Sequence, residues 1–175
     1  MNNILCLNKG TKVLMSDGTQ KNIETISKFD FVKSFSFETS NIEDVKVTKI
    51  AKSYHSIINS IGLSNGQTIE CTTDHPIWTV EKGWCSVNFN ETLLNYNVQV
   101  QELVIGDTCI TFHNGQIENY KIVSIDTFIG NYEMYDITGG NNHCFFANGL
   151  LVHDENLENL NNIDELIIEQ CKTAK

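Results

Sequence analysis

Cys6 stands directly after Leu5, and a cysteine thiol can attack the carbonyl of the residue before it through a five-membered transition state. Well-oriented intramolecular attack reaches effective molarities of about 10⁵–10⁸ M, and the product is a thioester in place of the amide. A free thiol titrates near pKa ~8.5, so only a small fraction is thiolate at neutral pH, yet that fraction is a strong nucleophile. The amide nitrogen leaves poorly unless protonated, so the chemistry asks for an acid near Leu5–Cys6. His75 is the candidate, because an imidazole titrates at about 6.5, and Pro76 restrains it to an extended backbone. Thr72, three residues earlier, can supply a hydroxyl to the tetrahedral oxyanion, an interaction worth about 10²–10³ in rate, or orient the scissile bond. Taken singly, Cys6 also reads as a buried structural cysteine, and Thr72 with His75 as residues that satisfy a turn.

The C-terminal side offers a second constellation. If Asn148-Gly149 is a two-residue hairpin turn, Ala147 faces Leu150, Phe146 faces Leu151 and Phe145 faces Val152. Continuing the register pairs Cys144 with His153 and His143 with Asp154. Directly opposed Cβ atoms lie about 4.5–5.5 Å apart, so His143 from across the ladder and His153 from the chain itself converge on Asp154. Two imidazoles gathered at one peptide bond suit cleavage at Asp154–Glu155. The plain alternative is a hairpin end with solvated histidines.

Four stretches in fixed order carry a resemblance. They are Cys6 through Gly10-Thr11, Val13 and Asp17-Gly18 to Ile23-Glu24 and Ile26; Cys71-Thr72-Thr73-Asp74-His75-Pro76 with Gly83-Trp84; Tyr135-Asp136-Ile137-Thr138 through His143 and Phe145; and Asn148-Gly149 to Val152-His153-Asp154. Together they resemble the Hint (Hedgehog/intein) domains, and within these the minimal inteins and bacterial intein-like domains, over residues 6–154. The resemblance implies an all-β horseshoe with pseudo-two-fold halves that brings Cys6 near Asp154. It implies a single-turnover, cysteine-dependent self-cleaving activity without a cofactor, acting on the flanking polypeptides, with Cys6, Thr72, His75, Asp136, His143, His153 and Asp154 as the site. Asp136 enters through the resemblance alone, as a carboxylate near the N-terminal scissile bond that accepts or relays the Cys6 proton.

Two positions depart from the pattern. Splicing inteins usually end in His-Asn followed by Cys, Ser or Thr, whereas this chain reads His153-Asp154-Glu155. Glu155 offers no hydroxyl or thiol to receive an acyl group, and Asp154 lacks the side-chain amide that cyclises to a succinimide. The expectation is a thioester at Leu5–Cys6 released by water, a small thiol or an amine, with slow or blocked cleavage at Asp154–Glu155 and no efficient splicing. The alternatives are a catalytically inactive Hint scaffold serving as spacer or binding module, and a Hedgehog-type transfer to an external nucleophile. A sterol acceptor would call for a larger downstream segment than the 21 residues after Asp154.

The elements that must position these residues are short strands between turn signals. Asp17-Gly18, Asn65-Gly66, Asn114-Gly115 and Asn148-Gly149 suit type I′ turns, and the segments between them are rich in β-branched and aromatic residues. Ile23, Ile26 and Asp30 share their spacing with Val100, Leu103 and Asp107, an echo expected of two related halves. Residues 1–5 read as a residual N-terminal flank and 6–154 as the processing domain. After Asp154, Leu157, Leu160, Ile163, Leu166 and Ile167 recur at helical spacing among acidic residues, predicting an amphipathic helix over 156–172 outside the core.

Composition limits the partners. In a chain of 175 residues, 22 acidic against 12 basic residues give a formal charge of −10, which excludes a phosphate-tracking nucleic-acid surface. No apolar run reaches membrane-spanning length and the N-terminus has no signal-peptide pattern. The six cysteines therefore read as free thiols of a monomer in a reducing, cytoplasmic setting. Cys71, His75 and Cys85, or Cys144 with His153, could in principle bind zinc, but none has paired Cys-x-x-Cys spacing, and no metal is expected.

Overall fold

The computed structural model describes residues 4–155; the helix expected over 156–172 lies outside them. The described chain opens with β1 (Leu7–Asn8), β2 (Lys12–Leu14), β3 (Gln20–Asn22), β4 (Phe31–Ser36) and β5 (Asn41–Leu63). β6 (Thr68–Cys71), β7 (Ile77–Thr79), β8 (Gly83–Ser86) and one helix, α1 (Phe89–Tyr96), follow. The rest is β9 (Gln101–Glu102), β10 (Thr108–His113), β11 (Gln116–Gly139), β12 (Cys144–Ala147) and β13 (Leu150–His153). All strands join one continuous, almost wholly antiparallel sheet, in keeping with the all-β expectation. No helix among the described residues is long and apolar enough to cross a membrane.

β5 and β11 are the spine. They pair from Ile122↔Leu63 to Gly139↔Val47, with register shifts at three places. Such bulges bend and twist a ladder, and here they curl the long pair. Gly139 sits at one of the shifts, where a Cβ would meet the Lys46 carbonyl oxygen at 2.8 Å. The sequence pattern does not disclose strands of this length, because alternation is clear only at their ends. In β5, buried Val45 and Val47 alternate with exposed Lys46 and Thr48, but in the middle the less exposed face carries Ala51, Ser53 and His55, too polar to show as hydrophobic alternation.

The two halves repeat one device. In the first, Asp30 Oδ2 accepts from the Ser27 amide at 2.7 Å and pairs with Lys21 Nζ at 2.7 Å. In the second, Asp107 Oδ2 accepts from the Val104 amide at 2.9 Å and pairs with Lys82 Nζ at 2.6 Å. The Asp30 and Asp107 carbonyls then accept from the amides of Val47 on β5 and Ile122 on β11. Ile23, Ile26, Val100 and Leu103 are all buried. The echo in sequence is thus a repeated turn that starts each hairpin, β4–β5 and β10–β11.

The turns divide into two kinds. Asn114-Gly115 and Asn148-Gly149 have positive φ at both residues, as type I′ requires. At Asp17-Gly18 and Asn65-Gly66 only the glycine does. There Gly18 N donates to Met15 O and Met15 N to Thr19 O, and Gly66 and Leu63 repeat the pattern, which makes these three-residue loops closed by a left-handed glycine. The helix α1 was not anticipated from the hydrophobic pattern. Its signal is local: Asn88 caps it by accepting from the Glu91 amide at 3.3 Å, and Asn97 ends it in the left-handed region, as caps of these types do.

Candidate active site

The sheet brings the start and end of residues 6–154 together through β11. β1 pairs with β11 (Leu7↔Tyr135) and with β6 (Leu7↔Cys71), so extending either register by one residue sets Cys6 against Asp136 and against Thr72. Leu5 and Cys6 are fully buried. Leu5 packs into an apolar cluster with Trp78, Trp84, Phe146 and Leu151, which holds the Leu5–Cys6 bond in place.

Thr72 grips that bond from the nitrogen side. The Cys6 amide donates to Thr72 Oγ1 at 3.3 Å, and the Thr72 amide donates to the Cys6 carbonyl at 2.9 Å. The Thr72 hydroxyl thus meets the nitrogen of the Leu5–Cys6 bond. The Cys6 thiol lies 3.2 Å from Ser53 Oγ, which in turn lies 2.7 Å from His55 Nε2. Burial pushes the thiol up to about 12, the Ser53 contact opposing it and the charges of Asp136, Glu155 and Asp74 adding to it.

His75 closes the turn that Thr72 begins, its amide donating to the Thr72 carbonyl at 3.2 Å. Both its ring nitrogens are buried, and the neighbour that acts on the ring through its backbone is His153. Burial, helped by nearby His153, pushes its pKa down to about 3. The resting imidazole is therefore neutral, well away from the value near 6.5 expected of a solvated group.

The C-terminal hairpin has the expected register, including Cys144↔His153, and the Asp154 amide donates to the His143 carbonyl at 2.8 Å. His153 Nδ1 lies 2.7 Å from the Asp154 carbonyl oxygen, which belongs to the Asp154–Glu155 bond. The His143 and His153 rings stack with centroids 6.3 Å apart, and His143 Nδ1 is 3.5 Å from Asp154 Oδ2. Burial holds His153 down at about 4, against the pull of the Asp154 charge. The amide of Glu155 donates to Asp136 Oδ2 at 2.9 Å. Asp136, expected at the N-terminal bond, thus makes its hydrogen bond at the C-terminal one while its charge still reaches Cys6. Fully buried, and facing the Asp154 carboxylate, it is held well above the ordinary aspartate range. The Glu155 side chain pairs with Lys49 Nζ at 2.6 Å.

Several participants went unread in the sequence. Ser53 and His55 are two apart on β5, and residues i and i+2 of a strand share a face. That spacing was a usable signal, but it fell in a stretch whose less exposed face is polar, so no hydrophobic alternation marks it. Asp74 is buried, and its Oδ2 accepts from Asn95 Nδ2 of α1 at 2.9 Å. Asp74, Thr72, His55, Glu91 and Asn95 line a cavity of about 180 Å³ beside the N-terminal bond. The five described cysteines are all buried and free.

Comparison with solved structures places this architecture. The chain superposes on the DnaB intein of Synechocystis sp. PCC 6803 with a TM-score of 0.70 at 22% identity, covering 86% of this chain and 98% of that one. It superposes on the bacterial intein-like domain of Clostridium thermocellum with a TM-score of 0.69 at 20% identity, over 85% and 98% of the two chains. For the gp41-1 intein the values are 0.66, 24%, 87% and 100%. The protein therefore has the Hint fold of the inteins. By sequence it belongs to the AXH family, the Ataxin-1 and HBP1 module, whose model matches residues 7–114.

Among curated proteins it is 25% identical over 118 residues to protein MJ0781 of Methanocaldococcus jannaschii, covering 67% of this chain. It is 32% identical over 72 residues, 41% of this chain, to HMG box-containing protein 1 of Bos taurus. The matches span only 15% and 13% of those two proteins. The AXH match stops before Asp136, His143, His153 and Asp154, whereas the likeness to inteins takes in most of the chain.

Proposed function

We propose that this chain is an autoprocessing domain whose substrate is its own backbone. Cys6 attacks the Leu5 carbonyl, and the acyl group moves from nitrogen to sulfur. Water, a small thiol or an amine then releases the upstream polypeptide from the thioester. Thr72 orients the Leu5–Cys6 bond and His75 serves the departing nitrogen. At the other end His153, stacked with His143, polarises the Asp154 carbonyl while Asp136 engages the Glu155 nitrogen. Because Asp154 has no amide nucleophile and Glu155 no acceptor, C-terminal cleavage is slow or blocked and splicing is inefficient. Residues 1–5 and 155–175 are then flanks, and the protein works as a monomer without a cofactor.

The observation that carries this reading is that polar side chains grip the backbone atoms of two peptide bonds, one at each end of 6–154: Thr72 at the Cys6 amide, and His153 with Asp136 across Asp154–Glu155. Structural stability alone does not require two buried histidines and a buried carboxylate at chain-end peptide bonds, since buried ionisable groups cost more than apolar ones. A second reading, an inactive Hint scaffold kept as a spacer or binding module, draws on the AXH match that ends at residue 114. One experiment separates them. With a folded reporter fused before Leu5, dithiothreitol is expected to release the reporter, and Cys6→Ala to abolish release. Intact mass that never changes with thiol favours the scaffold; release that survives Cys6→Ala removes Cys6 from the mechanism.

A further inference from the structure

A thiol held at about 12 has a thiolate fraction on the order of 10⁻⁵ at neutral pH. Attack on Leu5 then needs a group that takes the proton as the carbon–sulfur bond forms, as general bases do. His75 is not in contact with the sulfur in any hydrogen bond among the described residues, and Asp136, already held toward its protonated form, is a poor acceptor at rest. Among the described residues, the hydroxyl that meets the sulfur is that of Ser53.

We infer that Ser53 and His55 form a proton relay for Cys6, with the thiol proton passing to Ser53 Oγ as the Ser53 proton passes to His55 Nε2. The inference rests on the autoprocessing reading above. The spacing suits it: 3.2 Å from sulfur to oxygen and 2.7 Å from oxygen to imidazole nitrogen. Two strands fix the line. β5 puts Ser53 and His55 on one face, β11 locks them from the other side through Met134↔Ser53 and Tyr132↔His55, and Met134 and Tyr132 pack beside Cys6. His55 also lines the 180 Å³ cavity shared with Thr72, so its ring has an exit to solvent that buried His75 lacks.

The atoms balance. Sulfur loses its proton to the relay and bonds to the Leu5 carbonyl carbon. The carbon–nitrogen bond breaks, and the Cys6 nitrogen takes up one proton. The His55 imidazolium gives one proton back to solvent through the cavity, so the net change is a proton moved from sulfur to nitrogen. Ser53 touches the reacting atom and is catalytic; His55 acts through it and is a positioning residue. The groups facing His55 are Asp74 from the 72–75 turn, Glu91 from α1 across the cavity, Tyr132 from β11 and Ser53 on its own strand. Partial burial lowers the His55 pKa below its usual value, and the Asp74 charge opposes that, which leaves the ring neutral and able to accept at neutral pH.

Two measurements on the full chain with its upstream reporter test this. The first is the thiol-released rate between pH 5.5 and 9.5. The native chain is expected to rise with pH through the His55 titration and then level off. Ser53→Ala and His55→Gln are expected to be about 10²-fold slower at pH 7. Without the relay their rates should climb about tenfold per pH unit toward the thiol's own titration, a change of profile that a merely weakened fold does not produce. Equal rates and unchanged profiles in both variants overturn the relay. The second measurement needs no cleavage: the imidazole ¹⁵N shifts of His55 should report the Nδ1–H tautomer, with Nε2 accepting. An Nε2–H tautomer runs the relay backwards and overturns it whatever the reporter does. The Nδ1–H tautomer in a chain that never forms a thioester overturns the autoprocessing reading, and the catalytic use of the relay with it.

Discussion

His153 reaches forward to the residue that follows it: its Nδ1 lies 2.7 Å from the Asp154 carbonyl oxygen. Burial keeps the ring neutral, near pKa 4, so the contact is an N–H donated to a peptide carbonyl. The same donor would meet a developing oxyanion if that carbonyl were attacked, which is where preorganised hydrogen bonds count most. The ring is further fixed by an edge contact with Trp84 and by the stacked His143 ring. What this end lacks is an attacking group.

Asp154→Asn should therefore accelerate cleavage before Glu155. An asparagine amide can attack its own carbonyl carbon and form a five-membered imide, whereas a carboxylate gives a strained anhydride that reverses. The side chain is fully buried and lies 3.5 Å from His143 Nδ1, within reach of the Asp154 carbonyl carbon. Release of a downstream reporter at pH 7 should rise by about 10²-fold or more once a nucleophile joins the positioned acid–base groups. An unchanged rate in a variant that still makes the Cys6 thioester would show that the two histidines do not serve catalysis.

Thr72 tests which side of the N-terminal bond matters. Its hydroxyl accepts from the Cys6 amide, a bond worth about 0.5–1.5 kcal/mol and so about tenfold in rate. Thr72→Val should slow reporter release by about that much, and Thr72→Ser should restore it. A loss of 10²–10³-fold would instead mark an oxyanion donor, formed only after the hydroxyl turns from nitrogen to oxygen.

Much of this was readable in the residues, for definite reasons. The Asn148-Gly149 turn fixes the β12–β13 register, and register alone carries His143 and His153 to Asp154. The Ile-x-x-Ile/Leu…Asp echo marks two hairpin starts because the same hydrogen bonds recur there. The contact of Asp136 with Glu155 was not readable, since its partner is a backbone amide 19 residues later and backbone groups carry no sequence signal. Nor was the Ser53–His55 pair, which sits where the less exposed face of β5 is polar and no hydrophobic alternation marks the strand.

Splicing should fail in the native sequence and return only with two changes. Glu155 supplies a carboxylate tied to Lys49, so there is no acceptor for the acyl group. Glu155→Cys alone provides one but leaves Asp154 unable to release it, and a branched intermediate should accumulate. Asp154→Asn with Glu155→Cys should give ligated reporters, seen as a band of the summed flank mass. A ligated product from the native chain would mean that another residue accepts the acyl group.

Asp136 ties both ends together and gives a prediction in pH. Its carboxyl is fully buried and faces Asp154, so its folded pKa lies well above 3.8, its ordinary value. A group raised in the folded state contributes stability that is complete below the unfolded pKa and is lost as pH rises to the folded one. Between those two values the native state binds the extra proton, and each pH unit costs about 1.4 kcal/mol. Asp136→Asn removes this penalty, while its side-chain oxygen can still accept from Glu155. The variant should match the native protein near pH 3.5 and exceed it as pH rises through the folded titration of Asp136, read by urea unfolding. His75 and His153 have the opposite sign: depressed to about 3 and about 4, they hold full stability above ~6.5 and lose it as pH falls. Comparing the two proteins at each pH cancels the histidines, because both contain them. If Asp136→Asn is instead less stable at pH 8 than at pH 4 relative to the native chain, the carboxylate is ionised and well partnered. Its engagement of Glu155 would then be a structural ion contact, and C-terminal cleavage in the Asp154→Asn background should survive Asp136→Asn unchanged.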